Sequence, residues 1–170
     1  MKEIDTWLDE YGQSHQNRVN KMIHWACVPL IMLSLIGLLS ELRISEHAIA
    51  IGVGSGSDLS GYSGLFFYLD LGTVLIALAF VYYLRMSLPM AAGMLAVAIL
   101  LRLGCDLVSD LFGDRDRAAF IVIFVAAWVG QFIGHRIEGK KPSFVEDIQF
   151  LLIGPAWLLS FIYKRLGVRY

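Results

Sequence analysis

Long apolar stretches separated by short polar segments dominate the chain. In windows of about 20 residues, the length that crosses about 30 Å of hydrocarbon, four stretches are apolar enough to be transmembrane helices. They cover residues 22–42, 65–84, 88–104 and 118–134. The pattern predicts an all-α protein, a polytopic membrane helical bundle that forms a single domain over residues 1–170.

A fifth apolar segment, residues 148–163, is shorter than the other four and contains Gly154 and Pro155 near its middle. Proline removes a backbone donor and interrupts the ladder of helical hydrogen bonds. We therefore expect this segment to be a re-entrant or interfacial helix that does not cross the membrane.

The polar connections between these stretches also predict local structure. A short amphipathic helix is expected from Asp5 to about His15, and Asn20 is expected to cap the first membrane helix because asparagine favours that position. Residues 52–64 are mostly Gly and Ser, which predicts a loop. The charged run 111–117 predicts a polar turn.

Composition supports a bilayer environment. The chain is 57% hydrophobic and only 17% charged, and its net charge of −1 gives no cationic excess for binding nucleic acid. Cys27 and Cys105 form no Cys-x-x-Cys pair, which argues against a disulfide framework or a thiolate metal site. We expect both cysteines to be packing residues.

The distribution of Lys and Arg sets the orientation, because these residues are retained on the cytoplasmic side of short loops. Four crossings with a cytoplasmic amino terminus place ten of these residues inside and four outside, whereas five crossings give seven on each side. The sequence therefore favours four crossings, with both termini in the cytoplasm.

Three of the four histidines are expected at the cytoplasmic boundary. His15 and His24 flank the beginning of the first span, and His135 ends the fourth. On one straight helix, the separation of nine positions between His15 and His24 would put them on opposite faces, so a break over residues 16–20 is needed to bring them together. His47 falls beyond the opposite end of the first span and is interpreted as an interface residue.

Three imidazoles converging on one point would suit zinc, iron or another first-row divalent ion. His135 and Glu138 share one helical face, and Gln131 lies one turn before His135. Glu138 either contacts the metal or orients a ligand ring. The alternative for each histidine alone is an interfacial residue that bonds to backbone or headgroup.

Two other charged positions are interpreted as structural. Asp70, near the start of the second span, is expected to reach the membrane interface. Arg102 and Asp106 lie four residues apart and are expected to form an ion pair.

Two separated motifs resemble the signatures of the Mpo1-like family. The first is Tyr11-Gly12-Gln13-Ser14-His15, then Asn20, Ile23-His24 and Val28-Pro29; the second is Trp128-Val129-Gly130-Gln131-Phe132-Ile133-Gly134-His135, then Glu138-Gly139-Lys140-Lys141-Pro142 and Gly154-Pro155. Together they cover most of the chain in the same order as in the family. One departure is Ser143 after Pro142, where alanine is commoner.

The resemblance implies an Fe(II)-dependent dioxygenase that shortens 2-hydroxy fatty acids by one carbon, using O2, among membrane lipids. His15, His24 and His135 match the motif histidines and are the implied iron ligands. Glu138 and Asn20 are assigned to catalysis, with Glu138 outside the coordination sphere so that substrate and O2 can both bind. The cationic residues near the site, expected to attract the substrate carboxylate, are Arg18, Lys21, Arg136 and Lys140.

The family has many bacterial members, which implies the bacterial inner membrane. The competing class is a non-catalytic membrane protein that binds lipid or a structural metal. Histidine-rich di-iron hydroxylases are set aside, because four histidines are too few for their ligand set.

Overall fold

The computed structural model describes residues 4–50, 66–141 and 150–170 of the chain. In this part of the protein, six helices and one two-stranded hairpin follow one another. Their bounds are α1 Ile4–Gln13, α2 Arg18–Ser40, β1 Arg43–Ala50, β2 Phe66–Asp70, α3 Leu71–Leu84, α4 Leu88–Phe112, α5 Asp116–Glu138 and α6 Phe150–Leu166. The predicted helical architecture is confirmed, and the hairpin is an addition to it.

The break between α1 and α2 occurs where the histidine spacing requires it, but the capping residue differs from the prediction. Asn17, in an extended conformation, caps α2 by accepting hydrogen bonds from the backbone of Val19 and Asn20. Asn20 itself is fully buried inside the first turn of α2. Asparagine is a favoured capping residue, so either of the two could have capped the helix. The side chain of Asn20 is instead held by a contact with a residue distant in sequence.

Helices α2 and α5 pack closely against each other and run antiparallel. Gly134 faces Asn20 and Gly130 faces Cys27 at one end, while Gly37 faces Phe120 at the other. A Cβ atom added at Gly130 would lie 2.6 Å from Cys27 Sγ, so the two backbones approach each other at small residues. This packing brings the beginning of α2 beside the end of α5.

The second apolar stretch is only partly helical, which corrects the predicted span 65–84. Phe66–Asp70 is a strand that pairs antiparallel with β1, in a register that sets Ile49 opposite Phe67. A run of apolar aromatic residues fits a strand as well as a helix. The helix that follows, α3, has 14 residues and a length of about 21 Å.

Asp70 caps the start of α3. The sequence predicted that its side chain reaches the membrane interface, and this is wrong. Its side chain accepts a hydrogen bond from the Thr73 backbone at 2.7 Å, and it is fully buried. Arg102 pairs with Asp70 at 3.3 Å and also donates to Ser40. The described contacts therefore pair Arg102 with Asp70, although the sequence predicted a pair with Asp106.

Within residues 4–50, 66–141 and 150–170, two helical runs are long and apolar enough to cross a membrane. They are Arg18–Ser40 and Leu88–Glu138, and the second comprises α4, a 3-10 turn at Gly113–Arg115 and α5. The turn lies within the predicted polar segment 111–117, and Gly113 has a φ of 53° that favours glycine. The number of four crossings stays a prediction.

Helix α6 continues through Pro155 without the expected interruption. Pro155 is the sixth residue of the helix, so its missing donor removes one bond near the start of the described segment. Side chains of α1 and α6 pack together around Leu8, Tyr11 and Trp157 in the main core cluster. The predicted loop over residues 52–64 lies outside the described residues, and His47 lies on β1.

Candidate metal centre

Three separate elements supply the clustered histidines. His15 lies in the connection between α1 and α2, His24 in the second turn of α2, and His135 in the last turn of α5. Their relative exposures are 0%, 1% and 4%. The close packing of α2 on α5 brings His24 beside His135, and the connection folds over both and adds His15.

The three imidazoles converge on one point, as the sequence analysis predicted. The Nε2 atoms of His15 and His24 are 3.0 Å apart, and one ring nitrogen from each of the three residues lies within 4.8 Å of the others. The ring centroids of His135 lie 4.9 Å from those of His15 and 5.0 Å from those of His24. The rings meet at steep angles, so each directs a nitrogen toward the centre.

Hydrogen bonds to the main chain fix the tautomers of two of these rings. His15 Nδ1 lies 2.6 Å from the Tyr11 carbonyl oxygen, and His24 Nδ1 lies 3.0 Å from that of Asn20. A carbonyl oxygen only accepts, so Nδ1 carries the proton and donates in both rings. Both Nε2 atoms therefore present lone pairs to each other.

Two lone pairs at this distance repel each other unless a cation or a shared proton lies between them. Burial lowers the pKa of His15 to about 3, so a protonated ring that shares its proton is disfavoured at neutral pH. A metal ion with imidazole nitrogen ligands at about 2.0–2.1 Å fits between such atoms. The arrangement therefore suits a metal better than an imidazolium.

His135 provides a second, independent sign of a missing partner. Its Nδ1 atom is buried and finds no hydrogen-bond partner among the described residues. Buried polar atoms are normally paired, so this nitrogen can take a partner that the described residues do not supply. Three neutral imidazoles fit zinc, iron and other first-row ions.

Glu138 accepts its described hydrogen bonds from residues other than the three histidines. Its two carboxylate oxygens accept hydrogen bonds from the backbone of Gln16 and Asn17, each at 2.8 Å, and from the side chain of Asn20 at 3.1 Å. These contacts tie the connection that carries His15 to the end of α5. Glu138 and Asn20 thus link the connection that carries His15 to the two helices that carry the other histidines.

The four predicted carboxylate-binding cations lie in different surroundings. Lys21 is half-buried and lines a polar cavity of about 200 Å³ that also contains His15 and Lys164. Arg18 and Arg136 are exposed. Lys140 donates at 2.7 Å to the carbonyl of Gln13, which ends α1. Of the four, the structure brings Lys21 to a cavity beside the cluster.

Aromatic residues that the sequence analysis did not assign to the site enclose it. Tyr11 stacks on His15, with ring centroids 4.1 Å apart and an interplanar angle of 15°. Trp157 of α6 lies 5.2 Å from His15. Tyr11 precedes His15 by one helical turn, so its spacing could have revealed it. Trp157 is far away in sequence, and no local pattern connects it to the cluster.

The long apolar helices and the buried cluster of three imidazoles define the class of this protein. It is a candidate membrane metalloprotein built as a helical bundle. The family model described as 2-hydroxy-palmitic acid dioxygenase Mpo1-like matches residues 1–166. The chain therefore belongs to the Mpo1-like family, as its two motifs indicated. No curated protein and no solved structure matches the chain.

Proposed function

We propose that this protein is an Fe(II)-dependent dioxygenase of the membrane that shortens 2-hydroxy fatty acids by one carbon. A 2-hydroxy acid and O2 give the acid one carbon shorter, CO2 and water, and this balance needs no external reductant. The observation that carries the proposal is the convergence of three buried imidazoles, two of which face each other with lone pairs 3.0 Å apart. The family description supports the fatty-acid substrate.

His15, His24 and His135 would hold the iron, which when bound supplies the activation of O2 that side chains lack. The carbonyls of Tyr11 and Asn20 hold two of the rings in the tautomer that binds metal. Such hydrogen bonds to ligand rings fix their orientation and raise their basicity.

Glu138 and Asn20 hold the connection between α1 and α2 in place, and through it His15. Lys21 and Lys164, opposed by the single carboxylate of Asp9, give the polar cavity a net positive charge, which would attract the substrate carboxylate. Arg18, Arg136 and Lys140 lie at the same end of the bundle, where they add to the positive potential. Gln131 is buried beside His24 and His135 in a small cavity and offers its amide to the substrate hydroxyl.

The location proposed for this enzyme is the bacterial inner membrane, with both termini in the cytoplasm. The two apolar helical runs support insertion. The cations around the histidine end support a cytoplasmic position for that end, because Lys and Arg are retained inside. A fatty acid could then reach the site from the bilayer.

The decisive experiment is anaerobic reconstitution of the full-length protein with Fe(II), followed by a 2-hydroxy fatty acid and O2. We expect one equivalent of iron and formation of the acid one carbon shorter. His24→Ala should lose both, whereas His47→Ala, on β1, serves as the matched control and should keep both. Iron bound without any shortened acid would overturn the dioxygenase proposal.

A structural metal site in a non-catalytic membrane protein is the second candidate. The nearly complete burial of His15 and His24 favours it, because closed sites with protein ligands alone are typical of structural zinc. Metal analysis of the protein as purified separates the two candidates. Tightly held zinc, with no product after iron reconstitution, would support the structural role.

A further inference from the structure

The bundle contains an apolar cavity that the histidine chemistry does not use. It has a volume of about 150 Å³ and lies between α2, α3, α4 and α6. The ring of Tyr83 lines the wall. Its hydroxyl donates a hydrogen bond to the Leu152 carbonyl at 2.7 Å. The other wall residues are predominantly aliphatic or aromatic, so the cavity suits hydrocarbon and excludes charged ligands.

This cavity adjoins a smaller one at the metal centre. The smaller cavity, of about 30 Å³, is lined by His24 and His135. Val28, Met32 and Pro155 line both cavities. These three residues form the boundary between the two cavities, so the larger space begins directly beside the one that His24 and His135 line.

The far end of the apolar cavity is closed. Ile36, Leu75 and Leu101 line it there. Ile36 is 1% exposed, and the partly buried Leu75 and Leu101 pack against the core cluster that contains it. The buried pair of Asp70 and Arg102 neighbours this end and would be costly for a hydrocarbon chain to displace. Along α2, the distance from His24 to Ile36 is about 18 Å at 1.5 Å per residue.

The near end is open on the side of the bundle. Trp25, Leu95 and Ile162 line the cavity, yet they are 43%, 39% and 42% exposed. Trp25 directly follows His24, so this opening lies at the metal-centre end. An acyl chain can therefore pass from the bilayer into the cavity beside the histidines while the opposite end stays closed.

We propose that this cavity holds the acyl tail of the substrate and that its closed end, formed by Ile36, Leu75 and Leu101, limits the length of chain accepted. The inference rests on the proposed function for the identity of the acid. Lipid tails are as apolar as the cavity wall, so transfer from the bilayer gives little selectivity. The position of the closed end therefore has to provide the selectivity for chain length.

The test measures the binding of straight-chain 2-hydroxy fatty acids, from the hexanoic to the octadecanoic acid, to the full-length protein reconstituted with Fe(II) and kept free of O2. Displacement of a fluorescent fatty acid reports binding without turnover. We expect the wild-type protein to show a maximum length, with affinity falling at least tenfold beyond it. Leu101→Trp should shift this maximum to shorter acids, and Leu101→Ala should shift it to longer ones.

Leu100→Trp is the matched control, because Leu100 precedes Leu101 on α4 but is 67% exposed and does not line the cavity. Leu75→Phe shortens the cavity from α3 and replaces Leu101→Trp if that variant fails to fold. A length profile that neither Leu101→Trp nor Leu75→Phe alters would overturn the inference. Length-dependent binding, combined with no shortened acid when O2 is added to the iron-loaded protein, would instead support the cavity assignment and overturn the dioxygenase.

Discussion

At the scale of single residues, most of the candidate metal centre could be predicted from the sequence. The common location of His15, His24 and His135 was predicted from the order of the spans and the distribution of Lys and Arg, and the need for a break between the first two followed from helical periodicity. Local preference could not decide between two nearby asparagines as the cap of α2. Asn17 caps the helix, and Asn20 is committed to Glu138, a partner 118 residues away.

The carboxylate of Glu138 gives a prediction at this scale. Glu138→Gln keeps the shape but removes the charge that strengthens the bonds to Gln16 and Asn17. We expect the free energy of unfolding to fall by about 1–2 kcal/mol and the affinity for iron to fall about tenfold or more. Thermal unfolding and metal titration measure the two effects.

The control for Glu138→Gln is Asp110→Asn, which removes an exposed carboxylate on α4. It should change neither quantity. If Glu138→Gln behaves like this control, the carboxylate does not position His15.

At the scale of elements, apolar pattern located the helices but not all of their ends. The predicted span 65–84 divides at Asp70 into a strand and a helix, because an apolar run without polar alternation does not distinguish the two. The predicted interruption at Pro155 is absent, since one missing bond near the start of a helix packed against α1 is tolerated. Both differences arise from tertiary contacts.

The close packing of α2 and α5 predicts a sharp difference between two glycines. A Cβ atom at Gly134 would overlap Asn20, whereas one at Gly12 would lie 3.5 Å from the Trp157 indole nitrogen, an ordinary contact. Gly134→Ala should destabilise the protein by about 1–3 kcal/mol and weaken metal binding. Gly12→Ala is the control and should be neutral or slightly stabilising, as measured by thermal unfolding in detergent.

The start of α3 gives a second prediction for an element. Asp70→Ala removes a helix cap, which costs about 1 kcal/mol, and also leaves Arg102 unpaired in a largely buried site, which costs about 3–5 kcal/mol when a pair is broken. Ser87→Ala removes only the cap of α4. Denaturant unfolding should therefore show a clearly larger loss for Asp70→Ala, and equal losses would argue against the ion pair.

At the scale of the whole molecule, the sequence predicted the helical bundle, whereas the arrangement of its cavities depends on packing across distant segments. Trp157 and Pro155 reach the site from α6, and nothing near His15 in sequence indicates them. The Lys and Arg distribution remains the basis for orientation. It predicts that the metal centre and both termini lie on the same side of the membrane.

Reporter fusions test this orientation. Green fluorescent protein fused after Tyr170 should fluoresce in bacterial cells, and alkaline phosphatase at the same position should be inactive. Insertion of the phosphatase at the turn around Gly113, between α4 and α5, should give an active enzyme. Phosphatase activity at Tyr170 would contradict the predicted orientation.

The hydrogen bond between Gln16 and Glu138 joins residues 122 positions apart. During translation, the first two histidines therefore emerge long before the segment that steadies them. An ion captured by the nascent polypeptide would be bound by only the first two histidine rings, before the segment that fixes their position has been made. An ion would therefore meet the complete set of three rings only after α5 has been inserted.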